Sequence, residues 1–214
     1  MIPPLLERRA CYRVPELMTD LRTTGFPVAE RHAVKFYGDD DSLFSTVASF
    51  LAGGLANGEP AVVIATPAHR AGIVRRLEEL LVDVPRVTTS GNLFLLDARE
   101  LLNSFMRDSA PDATLFRPSV TAIVERAQRR RNVVVRAYGE MVDLLWKDGQ
   151  SGAAIQLEIL WNQLAIQYGF SLLCGYSMVH FYNQAISMEE VCAHHAAVYP
   201  DTHIPVPGET PESR

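Results

Sequence analysis

Between about residue 31 and residue 196, short unbroken apolar runs alternate with segments of helical period, and this alternation leaves few architectures open. The runs are His32 to Tyr37, Ala61 to Ala65, Leu93 to Leu96, Val133 to Tyr138 and Ser171 to Cys174. A strand with one wet face alternates apolar and polar residues; most of these do not, so both faces of their sheet must be covered. The helical segments between them supply the cover. Asp41 or Ser42 can cap a helix carrying Leu43, Phe44, Val47, Phe50, Leu51 and Leu55 on one face and stopping near Asn57 and Gly58. Pro67 can open a second helix in the first-turn position where its missing donor costs nothing, and Pro118 can do the same for a helix through Val120, Ile123, Val124 and Ala127. Two more follow, Glu140 to Trp146 and roughly Ser151 to Tyr168. The expected fold class is α/β: a three-layer sandwich, mainly parallel in its central sheet, with helices on both faces, five strands and about seven helices.

Both ends of the chain differ from this core. Residues 1–30 carry four prolines and no sustained period, and read as an N-terminal arm. Residues 31–198 form the globular domain, and residues 199–214 are too poor in large apolar side chains to repay their ordering entropy, which predicts a flexible Pro-rich tail. The whole chain has 214 residues, 48% of them apolar, enough for one real core. Twenty Lys and Arg against 25 Asp and Glu give a net charge of -5, so direct nucleic acid binding is not expected. Cys11, Cys174 and Cys192 are too few and too scattered for a disulfide framework, which suits a cytoplasmic location. No apolar run has the length of a membrane span, and Glu7, Arg8 and Arg9 interrupt the stretch where a signal peptide would be apolar.

In open parallel sheets, ligands bind beyond the carboxyl ends of the strands. The first apolar run is followed by Gly38, Asp39, Asp40, Asp41 and Ser42, the second by Thr66, Pro67, Ala68, His69 and Arg70, the third by Asp97, and the fourth leads into Gly139 and Glu140. A phosphate-binding loop in the first of these places needs the pattern GxxxxGK[ST], whose lysine brings positive charge to the phosphates; three aspartates stand there instead. They suit helix capping and a solvated acidic turn, or a divalent cation held by oxygen ligands. Arg136 lies in an otherwise apolar run and needs a carboxylate, a phosphate or a wet cavity to offset its desolvation. Glu140 and Asp97 are its candidate partners, and a buried ion pair and a ligand anchor both remain open. Tyr138 and Trp146 suit an aromatic wall or a core. Cys192, His194 and His195 have metal-binding chemistry, but on one helical turn they offer at most two ligands facing one way. Neither a metal nor a cofactor is expected.

Several stretches together resemble the MEDS domain, a sensory domain of methanogens and methylotrophs named after the dichloromethane-metabolism regulator DcmR. They are RHAVKFYG at Arg31 to Gly38, FLAGGLANGEPAVVIATPAHR at Phe50 to Arg70, LLDA at Leu95 to Ala98, RAYGEMVDLLW at Arg136 to Trp146, LEILWN at Leu157 to Asn162 and LLCGY at Leu172 to Tyr176. The resemblance covers residues 31–198 and implies a RecA/KaiC-like fold without a working Walker A motif. It further implies a domain that senses small organic compounds and acts with kinase, anti-sigma or transcription-regulating proteins.

These readings converge on a non-enzymatic sensory domain that binds a small organic ligand through Tyr37, His69, Asp97, Arg136, Tyr138 and Glu140. Residues 1–30 are too short for a DNA-binding domain, so the expected output is a regulatory protein partner, with a homo-oligomer as a further route. Two alternatives stand beside this one: a degenerate nucleotide-binding protein with residual ATP or GTP hydrolysis, using Asp39 to Asp41 for a cation and Glu140 as base, and a pure interaction scaffold.

Overall fold

The computed structural model describes residues 32–128, 133–181 and 185–199. The N-terminal arm, all but the first residue of the predicted tail, Cys11, and Arg129, Arg130 and Arg131 lie outside the described residues. Six parallel strands form the central sheet in the order β3-β2-β6-β7-β1-β8. They are β1 (His32–Tyr37), β2 (Ala61–Ala65), β3 (Leu93–Asp97), β6 (Arg136–Gly139), β7 (Ser171–Ser177) and β8 (Ala197–Tyr199). Two further strands, β4 (Met106–Arg107) and β5 (Ala110–Pro111), make a separate antiparallel ladder. Asp108 and Ser109 turn between them with positive φ, the backbone that a two-residue hairpin demands.

Period-2 alternation divides each strand between two cores. On one face Tyr37, Val63, Ala65, Tyr138 and Leu173 pack under α1 (Asp40–Ala56), α2 (Pro67–Glu79) and α3 (Val84–Thr89). On the other, Val34, Phe36, Val62, Ile64, Ala137, Leu172, Cys174 and Tyr176 meet α4 (Ala98–Phe105), α5 (Ala113–Gln128), α6 (Met141–Lys147) and α7 (Ser151–Tyr168). The chain is therefore the expected α/β sandwich with a parallel sheet. The last described helix, α8 (Ala185–Ala193), leads into β8, which pairs with β1 at Ala33, Val34 and Lys35.

Four local expectations change. Helix α1 is capped by Asp39, not by Asp41 or Ser42, because the chain already turns helical at Asp40. The fourth apolar run enters the sheet only at Arg136, where the backbone pairs with Ala61 and Ser171 at the first residues of their strands. Pro118 lies inside α5 rather than opening it, because Asp112 caps the helix six residues earlier: its carboxylate accepts from the Thr114 amide and hydroxyl. Strand β8 and the short β4–β5 ladder were not foreseen.

Candidate functional site

At the carboxyl edge of the sheet, the turn from β6 into α6 sets two acids three residues apart, both facing inward: Glu140 is 2% exposed and Asp143 is 8% exposed. Glu140 Oε1 accepts from the Thr66 amide at 2.6 Å, just beyond β2. Its Oε2 lies 2.6 Å from Nδ1 of His69, in the first turn of α2, and accepts from the Tyr138 hydroxyl at 3.0 Å. Asp143 accepts from the Ser177 amide at 2.8 Å and the Tyr37 hydroxyl at 3.3 Å, and His180 Nε2 lies 3.4 Å from it. The ends of β1, β2, β6 and β7 thus meet on two carboxylates. Gly175 makes room for the arrangement, since a Cβ there would lie 2.7 Å from the Tyr138 hydroxyl.

Burial sets the protonation of these groups. It pushes the Tyr37 and Tyr138 hydroxyls far above the ordinary phenol range, reinforced for Tyr37 by the charge of Asp143 and for Tyr138 by that of Glu140, so both remain donors. Burial likewise raises the Asp143 carboxyl, against the opposing pull of the Ser177 amide and His180. For His69, burial acts to lower the pKa, but the hydrogen bond and charge of Glu140, with Asp40 behind them, outweigh it and the net shift is upward.

Of the residues expected at this edge, Tyr37, His69, Tyr138 and Glu140 come together. Asp97 stands beside them at the end of β3, where it is occupied: it caps α4 through the Arg99 and Glu100 amides and pairs with Arg70 at 3.0 Å. Arg136 does not join them. It is the first residue of β6, and because α1 runs back against the strands, the guanidinium meets the C-terminal half of that helix at the opposite edge of the sheet. There it donates to Glu59 at 2.6 Å and to the Phe50 carbonyl at 3.0 Å, with the Phe50 ring 5.3 Å from its centre. Neither Glu140 nor Asp97 is its partner. Gly54 gives it passage, since a Cβ at that position would fall 2.5 Å from Arg136 Cδ.

Asp143, Thr66, Ser177 and His180 were missed. Asp143 had a signal, its spacing of three from Glu140, which places both on one helical face; the Thr66 and Ser177 contributions are backbone amides and leave none. In the acidic turn, Asp39 caps α1 through the Ser42 amide at 2.8 Å, Asp40 lies 3.5 Å from His69 and Asp41 lies 3.4 Å from Arg76. An entering phosphate would find the helix N-terminus already capped by a carboxylate.

A second polar cluster lies under the other face of the sheet. His32 at the start of β1, Cys174 in β7, Glu158 in α7 and His195 beyond α8 bring one ligand atom each to within 4.8 Å of all the others. Burial and the neighbouring His195 lower the His32 pKa against the pull of Glu158, while His195 and His32 overcome burial to hold Glu158 far below the carboxylate range. Burial and Glu158 push the Cys174 thiol well up.

The sheet is similar to that of a KaiC-like protein from the hyperthermophilic archaeon Pyrococcus horikoshii OT3, at 15% identity and a TM-score of 0.58, over 83% of this chain and 74% of that one. That likeness establishes a KaiC-like, RecA-type fold. Comparison with curated proteins finds no match. The family model described as the methanogen/methylotroph DcmR sensory domain, MEDS, matches residues 31–196, which span both polar clusters and every strand of the sheet except β8, and the chain therefore belongs to the MEDS family of sensory domains.

Proposed function

We propose that this sensory domain binds a small, uncharged or cationic polar organic molecule at the carboxyl edge of the sheet, beside Tyr37, His69, Tyr138, Glu140 and Asp143. The observation that carries the reading is the pair of buried carboxylates, Glu140 and Asp143, held by donors from four separate strand ends and helix starts. A ligand that competes for any of these hydrogen bonds disturbs β1, β2, β6 and β7 at once, which suits a sensor. Removal of Arg136 from this edge changes the ligand class. The basic groups left here, His69, His180 and Arg70, already face carboxylates, so hydrogen-bond donors such as alcohols and amines fit the field better than organic acids or nucleotides. The signal then passes to a regulatory protein or a second copy of the chain.

A thermal-shift panel of short-chain alcohols, amines, halogenated alkanes and organic acids tests the reading. A compound present at a hundred times its Kd stabilises the native state by about 2.7 kcal/mol. Alcohols or amines should raise Tm in the wild type, and Tyr37→Phe together with Glu140→Gln should abolish the rise. A flat panel, or a rise that survives both substitutions, would sink it.

A further inference from the structure

The cluster of His32, Glu158, Cys174 and His195 lies on the opposite face of the sheet from Glu140 and does no work in ligand binding as proposed above. Its hydrogen bonds dictate where each imidazole points its lone pair. Asn162 donates its Nδ2 to the His194 carbonyl at 2.8 Å, so its Oδ1 is the atom facing His32 Nδ1 at 2.9 Å. His32 Nδ1 must therefore be the donor, and Nε2 is turned inward, 3.2 Å from both Cys174 Sγ and Glu158 Oε2. His195 repeats the device: Nδ1 lies 2.7 Å from the Val191 carbonyl and must donate to it, leaving Nε2 directed at Glu158 Oε1, 3.5 Å away. That Nε2 atom is fully buried and has no hydrogen-bond partner.

Two neutral imidazoles arranged this way aim lone pairs at a carboxylate, which is repulsive. Protonating one of them pairs it with Glu158 but leaves the other Nε2 lone pair aimed at the same carboxylate, and protonating both would place two cations 4.2 Å apart, centroid to centroid, over a single carboxylate, with one uncompensated positive charge in a sealed interior. A divalent cation resolves the conflict, because two neutral imidazoles, one carboxylate and one thiolate bring its charge to zero. Ligand atoms around tetrahedral zinc, with bonds of about 2.0–2.3 Å, stand roughly 3.3–3.8 Å apart. His32 Nε2, Cys174 Sγ and Glu158 Oε2 stand 3.2, 3.2 and 3.5 Å apart, close to three edges of such a set, while His195 Nε2 faces the other oxygen, Oε1, at 3.5 Å; one ligand atom from each of the four residues lies within 4.8 Å of all the others. The outer partners are also those of a metal centre: a carbonyl or amide oxygen behind each imidazole, and the Tyr176 hydroxyl donating to Glu158 Oε1 at 2.8 Å.

We propose that His32, Glu158, Cys174 and His195 form a closed four-coordinate site for a divalent transition ion, with zinc the best match to two nitrogens, one oxygen and one sulfur. The ion ties β1, β7, α7 and the segment before β8 together, and its role is structural because every ligand is buried. This site stands or falls independently of the proposed ligand at the carboxyl edge.

The test uses the full chain, stripped with a chelator and reloaded with Zn2+ or Co2+. Elemental analysis should find one zinc per chain, and Co2+ should give the strong visible bands of four-coordinate cobalt with a near-ultraviolet thiolate charge-transfer band. Cys174→Ser should lose the charge-transfer band, and His195→Ala should weaken metal affinity at least tenfold. If Cys174→Ser fails to fold, the wild-type spectrum and His195→Ala carry the test. Wild-type protein that takes up no metal, with a Tm indifferent to zinc and chelator, would overturn the proposal. Metal binding that is unchanged in His195→Ala would overturn it as well, since the ion would then sit elsewhere.

Discussion

Between Glu140 at 2.6 Å and Asp40 at 3.5 Å, the His69 imidazole is held by two carboxylates, one buried and one exposed. Its pKa is raised in the folded protein, so the folded state holds the proton more tightly than the unfolded chain does. The stabilisation is complete below the unfolded histidine pKa, about 6.5, and is lost as pH climbs through the higher folded value. Denaturation midpoints should therefore fall as pH rises above about 6.5, where an unperturbed histidine is already losing its proton. Glu140→Gln should flatten that fall, with the His69 titration followed by NMR moving down toward its ordinary value. Arg136 makes the complementary case. Arg136→Ala strands Glu59 near the opposite edge, and a loss of ~3 kcal/mol is expected in urea denaturation, the low end for breaking a buried pair because Glu59 retains some access to water. Its thermal response to ligand should match that of the wild type; a lost response would return Arg136 to the binding site.

Helices α1 and α2 pack closely because Gly72 leaves space for the Phe44 ring, which in turn lies edge-on to His69 at 5.4 Å. A methyl group at residue 72 would overlap that ring. Gly72→Ala improves helix propensity by about 1 kcal/mol, yet overpacking costs about 1–3 kcal/mol, so a net loss of stability should appear in chemical denaturation, along with a disturbed His69 titration. The elements themselves were largely legible. Five apolar runs identified five strands because a sheet covered on both faces needs no polar alternation, and Pro67 marked the start of α2 as its geometry requires. Strand β8 escaped because three residues, Ala197, Val198 and Tyr199, carry too little pattern to separate a strand from an extended tail. Pro118 misled because a proline compatible with a first turn is also tolerated further inside a helix whose true cap, Asp112, lies upstream.

For the molecule as a whole, the sequence could assign residues to strands but could not say at which edge each would emerge. Arg136 and Tyr138 share a face and differ by two residues, about 6.6 Å along a strand, yet one turns to the end of α1 and the other to the acids of α6. The cluster of His32, Glu158, Cys174 and His195 was illegible for a related reason: its members come from four distant parts of the chain, and only the order of the strands unites them. Cys192 and His194, the nearer metal-like neighbours of His195, are not among the clustered ligand atoms. That strand order has a further consequence during synthesis. Of the described strands, β1 is the first to leave the ribosome, and its two neighbours, β7 and β8, are the last two to be made. Its edges must wait, unpaired and apolar, while nearly the whole domain is translated, and such long-range closure makes for slow folding. Strand β1 is therefore exposed to aggregation from its own synthesis until β7 and β8 have followed it.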